Sequence, residues 1–253
     1  MRNNGLILTL AASLAILLLA GPAIAQEEGK TDREMRKEIY FWLSQRGGSD
    51  VAAKLKDAYT KETDTELRKH LLFCFSQMDN QDAAGALMEV ARNDPNSELR
   101  KQAIFWLGQQ SSDGALAVLK ELYTTEKSAN VREHIIFSTS QIHDSEALAF
   151  LKEIAKNDAD TELRGKAIFW LGQSHNDSAL DFLKEVYASE ESASVKEKII
   201  FSVSQLDSRA AIEFLMEIAR GDESYELKKK AVFWLGQSDS EIAQQFLLEL
   251  IEQ

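Results

Sequence analysis

Four histidines, one cysteine and three runs of spaced acids are the residues of this 253-residue chain whose type and spacing first invite chemistry. The acid runs are Asp94-x-Asn96-x-Glu98, Asp158-x-Asp160-x-Glu162 and Asp222-x-Ser224-x-Glu226. Oxygens spaced in that way suit calcium, yet the central turn glycine and the bidentate Glu of a calcium loop are missing. Helix capping uses all three residues of each run, so capping is the expected role. His70, His134, His143 and His175 are scattered and read as surface residues. No nucleophile–base pair, glycine-rich phosphate loop or metal spacing emerges. The sequence therefore predicts no catalytic residue, no metal and no cofactor. The lone Cys74 excludes a disulfide framework and every cysteine-based metal cluster.

The elements that hold these residues repeat. Gln recurs every 32 residues from Gln45 to Gln237, and Phe stands four residues before each one, from Phe41 to Phe233. Leu55, Leu87, Leu119, Leu151, Leu183, Leu215 and Leu247 form a third row in the same register. Such a period marks a stack of identical supersecondary units. Each copy reads as two helices. The first is preceded by Asp32, Asp64, Asn96, Ser128, Asp160, Ser192 or Ser224, side chains that can accept the free N–H groups of a first turn. The second starts after Gly48, Asn80, Ser112, Asp144, Asn176, Ser208 or Ser240. Asn93, Asn157 and Gly221 suit a left-handed C-terminal position in the even copies.

A period of 64 lies on top. Trp42, Trp106, Trp170 and Trp234 alternate with Cys74, Ser138 and Ser202. Three residues earlier the sizes reverse: Ala103, Ala167 and Ala231 accompany Trp, while Leu71, Ile135 and Ile199 accompany the small residues. Positions three apart share a helix face, so this is volume compensation, and the packing unit is a pair of copies.

Residues 1–25 read as a secretory signal peptide: Arg2, an uncharged run from Gly5 to Ala20, and Ala23-Ile24-Ala25 before Gln26. The run is shorter than the roughly 20 residues a membrane-spanning helix needs, so no stable membrane insertion is expected after cleavage. Residues 26–31 form a flexible leader, and 32–253 carry the seven repeats. Export to a bacterial periplasm is the expected destination. The net charge of −12 makes nucleic acid a poor partner.

The run Thr161-Glu-Leu-Arg-Gly-Lys-Ala-Ile-Phe-Trp-Leu-Gly-Gln173 resembles the core of HEAT-like repeats, closest to the short type of the phycobilin lyase family and many bacterial proteins. The resemblance covers residues 32–253. It implies an all-α, right-handed α-solenoid (a HEAT-like or armadillo-type superhelix), with first helices outside and second helices lining a concave groove, binding proteins or peptides. Two activities of related families do not transfer. Deoxyhypusine hydroxylases carry His-Glu iron ligands, and no His-Glu dipeptide exists here. Phycobilin lyases work inside the cell, which fits poorly with an export signal.

Three rows remain to be placed. The basic row Arg36, Arg68, Arg100, Arg132, Arg164, Lys196 and Lys228 falls between apolar positions, with Glu62, Asp94, Glu126, Asp158, Glu190 and Asp222 as its expected partners. The Gln row is expected to hold loop backbone groups. On the second helices, Glu89, Glu121, Glu153, Glu185 and Glu217, with Lys120, Lys152 and Lys184, would line the groove. Phe105, Phe137, Phe169 and Phe201 fall on the outer side of the helical wheel, as an exposed binding stripe or as rings tucked between neighbouring helices. The reading is a non-enzymatic scaffold for a protein or peptide partner. The alternative is a lyase-like factor holding a small hydrophobic ligand in the groove. Leu248 and Ile251 suggest a homo-oligomeric or partner contact at the last copy.

Overall fold

The computed structural model describes residues 30–110, 114–173, 177–206, 208–221 and 223–252. The signal peptide and most of the leader lie outside them, as do Ser112, His175, Asn176 and Asp222. Among the described residues the chain is helical with no strand. The helices are α1 (residues 30–46), α2 (Ser49–Lys61), α3 (Thr65–Ser76), α4 (Gln81–Asn93), α5 (Ser97–Gln110), α6 (Ala115–Thr125) and α7 (Ala129–Ser140). They continue as α8 (Ser145–Asn157), α9 (Thr161–Gln173), α10 (Asp177–Ser189), α11 (Ala193–Ser204), α12 (Arg209–Arg220), α13 (Tyr225–Gln237) and α14 (Glu241–Ile251). Odd-numbered helices open a repeat and even-numbered helices close it. The chain divides into two compact units, residues 1–87 and 88–253.

Most of the expected caps form. Asp64, Asn96, Ser128, Asp160 and Ser224 accept first-turn N–H groups of the opening helices, and Asn80, Asp144 and Ser208 do so for closing ones. Three expectations fail. Asp32 lies inside α1 rather than before it, because the helix starts at least two residues earlier. Ser192 and Ser240 occupy their cap positions without a side-chain bond. No left-handed closure occurs: Asn93 and Asn157 are still helical, and Gly221 has φ −70°. Instead the chain turns extended after α2, α6, α8 and α12, and at Glu62, Glu126 and Asp158 the carboxylate takes over the next helix start.

In the smaller unit Leu55, Leu67, Leu71, Leu72 and Phe75 are fully buried. Met35, Ile39 and Trp42 of α1 are exposed, although their equivalents Leu67, Leu71 and Cys74 are sealed from water. In the larger unit the opening helices form one layer and the closing helices a second. Leu99, Val131, Leu163, Val195 and Leu227 face inward from the first layer, Leu119, Leu151, Leu183 and Leu215 from the second.

The junctions between opening helices alternate. α5–α7 and α9–α11 are packed more closely than α7–α9 and α11–α13. At the close junctions, helix backbones touch. A Cβ on Gly108 would lie 2.9 Å from the Ser138 Cα, and one on Gly172 would lie 2.6 Å from the Ser202 Cβ. Only glycine against a small residue permits that approach. At the other junctions Trp170 and Trp234 stand between the helices, against Phe137 and Phe201. The 64-residue period is thus a real packing period.

Candidate interaction surfaces

The basic row is structural. Arg36 pairs with Glu62 at 2.7 Å, Arg100 with Glu126 at 3.0 Å and Arg164 with Glu190 at 3.1 Å; Arg132 pairs with Asp158 and Lys196 with Glu223. The other oxygen of three of these acids accepts a backbone N–H at the next repeat, Glu62 from Asp64, Glu126 from Ser128 and Asp158 from Asp160, while Glu190 takes Arg164 on both oxygens and the Ser192 N–H on Oε1. Arg100 and Arg164 also donate to the carbonyls of Asp94 and Asp158 ahead of their own helices. Each guanidinium therefore ties the two ends of its repeat together, and the acid ties on the next repeat. Burial by itself would raise the Glu126 and Glu190 carboxyls. The N–H groups of Ser128 or Ser192 and the guanidinium of Arg100 or Arg164 outweigh it, holding both below the usual carboxylate value. Cation–π contacts extend the ladder: Arg68 over Tyr59, Arg132 over Tyr123 and Lys196 over Tyr187.

The histidines in opening helices are not plain surface residues. His70 Nε2 lies 3.0 Å from the Lys37 carbonyl, and burial holds both His70 and His134 below the usual histidine value. Cys74 is sealed, and burial pushes its thiol up to about 11, out of range for a nucleophile at neutral pH. Among the described residues no group of three or more His, Cys, Asp or Glu side chains could hold a metal.

On the closing helices the acidic row is exposed as expected, but much of it is engaged. Glu121 takes Arg92 at 2.7 Å, Glu185 takes Lys156 at 2.5 Å and Glu249 takes Arg220 at 2.8 Å, each base coming from the preceding repeat. Among the described residues Glu153 and Glu217 carry no ion pair. Lys120, Lys152 and Lys184 lie over the rings of Phe150, Phe182 and Phe214 in the following repeats. Their charges serve to join neighbours. The Gln row does not hold loop backbone where its bonds are seen: Gln77, Gln141 and Gln205 each donate to the adjacent serine hydroxyl.

The Phe row is resolved by ring stacking. Phe105 stacks on Phe137 at 6.1 Å and Phe169 on Phe201 at 5.9 Å; in the smaller unit Phe41 stacks on Phe73 at 6.4 Å. Each tryptophan meets the phenylalanine beside it edge-on, and Trp170 and Trp234 also reach back to Phe137 and Phe201. The result is a half-buried ladder rather than a bare stripe. Phe233, at the last repeat, is the exception, 53% exposed. Ion pairs between neighbouring repeats frame the ladder: Lys166–Glu133, Lys198–Glu162 and Lys230–Glu197.

A cleft of 580 Å³ opens in that face over Phe169, Trp170, Phe201 and Trp234, rimmed by the same three lysines and their acids. Gly165 sits in its wall, with the Lys198 ammonium folded over it. The equivalent positions carry Lys37, Lys69, Lys101, Glu133, Glu197 and Lys229, so the missing side chain is specific to this repeat and was visible in sequence. Of the four candidate phenylalanines, the structure brings Phe169 and Phe201 into the cleft and leaves Phe105 and Phe137 outside it.

A family model of HEAT repeats matches residues 83–172 and 149–232. Among solved structures the chain is similar to human deoxyhypusine hydroxylase in complex with glycerol (17% identity over 91% of each chain, TM-score 0.38). It is also similar to the complex of CpcE and CpcF of phycocyanin lyase from Nostoc sp. PCC7120 (17% identity, 85% of this chain and 87% of that one, TM-score 0.41). A third likeness is YibA of E. coli (19% identity, 83% and 85%, TM-score 0.46). No curated protein matches the chain.

Proposed function

The chain belongs to the HEAT-repeat family, and from that premise we propose that it is a non-catalytic scaffold of the bacterial periplasm that binds a protein partner. The observation that carries the reading is the aromatic cleft over Phe169 and Phe201, an apolar floor inside a ring of paired charges. That arrangement, aromatic anchors at the centre and a polar rim, is how protein-binding patches are built. The signal-like residues 1–25 motivate the periplasmic location. Neither the sealed Cys74 nor the scattered histidines offer a catalytic constellation, which supports a binding role.

Crosslinking pull-down from the native envelope tests this directly. The expected outcome is a protein captured by the wild type and lost with Phe169→Ser. Turnover of a substrate by the purified protein alone, or a bound small molecule detected by native mass spectrometry, would overturn it.

A further inference from the structure

The last repeat leaves open the face that earlier repeats of the larger unit cover with their successors. On α13, Tyr225, Lys229, Val232 and Phe233 share one exposed stripe, and on α14 Leu248 and Ile251 form another. Val232 is open, although its equivalents Ile104, Ile136, Ile168 and Ile200 are sealed from water. Three of the exposed residues are peculiar to this repeat. The first, third and fifth repeats carry Lys56, Lys120 and Lys184 in place of Leu248, and Tyr59, Tyr123 and Tyr187 in place of Ile251. Their polar ends serve the next repeat: Lys120 and Lys184 lie over Phe150 and Phe214, and the Tyr123 hydroxyl donates to Asp158. Tyr225 replaces residues such as Ser97, Ala129, Thr161 and Ala193. A terminal repeat that faces only water has a polar outer side. This one has exchanged polar residues for apolar ones.

A further repeat does not fit there. If the stack continued onto α1 of another copy, Trp42 would stand against Gly236. In earlier repeats that place belongs to Ser138 and Ser202, whose backbones meet Gly108 and Gly172. An indole cannot enter a junction closed by backbone contact. The same face of a second copy does fit. α13 carries Lys228, Lys229 and Lys230 against Glu226, whereas α14 carries Glu241 and Glu249 and no base. Two oppositely charged helices side by side match themselves after a half-turn about an axis along them, α13 of each copy lying on α14 of the other. The turn at residues 238–240 is short, so the end of α14 lies beside the start of α13. Across the half-turn, Lys229 of one copy faces Glu252 of the other, both exposed, with Tyr225 beside Ile251.

We propose that the protein is a two-fold dimer closed through α13 and α14, the open face of the last repeat being covered by the same face of a second copy. Tyr225, Val232, Phe233, Leu248 and Ile251 are between 37% and 81% exposed. At roughly 200 Å² for each whole residue they bare about 600 Å², so two faces bury about 1,200 Å², the size of a specific interface. The dimer goes beyond the scaffold reading and leaves the Phe169 cleft free, since Phe233 and Leu248 take no part in lining it.

Sedimentation velocity of the purified protein tests this. The expected result is a concentration-dependent monomer–dimer equilibrium that stops at the dimer. Leu248→Lys restores the lysine of earlier repeats at an exposed position and should weaken the dimer at least about tenfold. Lys229→Glu and Glu252→Lys should each weaken it about tenfold, because each sets like charges opposite one another in both halves of the interface. Mixing these two variants in equal amounts should recover the dimer, since each chain then meets its opposite. Circular dichroism confirms that the variants fold. A monomer at every concentration, with or without another protein captured through Leu248 in the envelope pull-down, would overturn the inference. So would assembly beyond the dimer, indifference to Leu248→Lys, failure of the charge variants to pair on mixing, or loss of the dimer with Phe169→Ser. That last variant tests the scaffold reading through partner capture, so the two readings can fail independently.

Discussion

Glycine at one repeat position has opposite consequences in different repeats. Gly172 meets the Ser202 backbone, whereas Gly236 has nothing closer than the Leu247 Cδ1 at 4.0 Å. Gly236→Ala should gain up to about 1 kcal/mol from helix propensity. Gly172→Ala should lose about 1–3 kcal/mol, because the added methyl forces α9 and α11 apart. Urea denaturation of the two variants checks the sign. Protonation works at the same scale. His70 and His134 have depressed values, so the unfolded chain takes up more protons as pH falls below about 6.5, and stability drops there. Glu126 and Glu190 are also depressed; their contribution is complete above about pH 4.3 and is lost as pH falls through their folded values. Urea midpoints across pH should fall in two steps. The double variant His70→Gln, His134→Gln should abolish the upper one, since Gln102 already occupies that row.

Between elements, two sets of ion pairs join repeats, and only one should matter for stability. Arg164 and Glu190 are 13% and 9% exposed, and the pair also closes a carbonyl and a backbone N–H. Arg164→Ala leaves a carboxylate unpaired in a nearly closed site and should cost about 2–4 kcal/mol. Lys230 and Glu197 are 48% and 39% exposed on the outer face, so Lys230→Ala should cost less than about 0.5 kcal/mol. Thermal unfolding of the two variants side by side measures the difference. The basic row and its acids were legible in sequence, because buried charge between apolar positions demands a partner. Lys196 also pairs with Glu223, which its position in the repeat does not announce; the acid expected for it, Asp222, lies outside the described residues.

For the whole molecule, parity is the rule to test. Deleting residues 129–192 removes two repeats and brings Ser202 to the place of Ser138, against Gly108. Deleting 129–160 removes one repeat and brings Trp170 there instead. The first deletion should fold cooperatively, with a urea m-value reduced in proportion to the surface lost. The second should be at least about 3 kcal/mol less stable than the first, or fail to fold, because an indole cannot occupy a junction closed by backbone contact. Equal stability of the two would show that the junctions are interchangeable.

The sequence by itself determined the number of repeats, the helical class, the inward rows and the pairing of large with small residues, because all of these are written as residue type at a fixed period. The expected caps mostly followed, since a cap depends on its own few neighbours. What the tertiary structure alone decided was the fate of rows whose environment comes from the next repeat. The helical wheel placed Phe outside and could not register that each ring lies on the ring 32 residues away. The lysines expected to line the groove lie over the phenylalanines of the following repeats, a contact no single copy can announce. Periodicity fixes which residues share a face; only packing distance, close where glycine meets serine and open where tryptophan intervenes, decides which faces remain to bind anything.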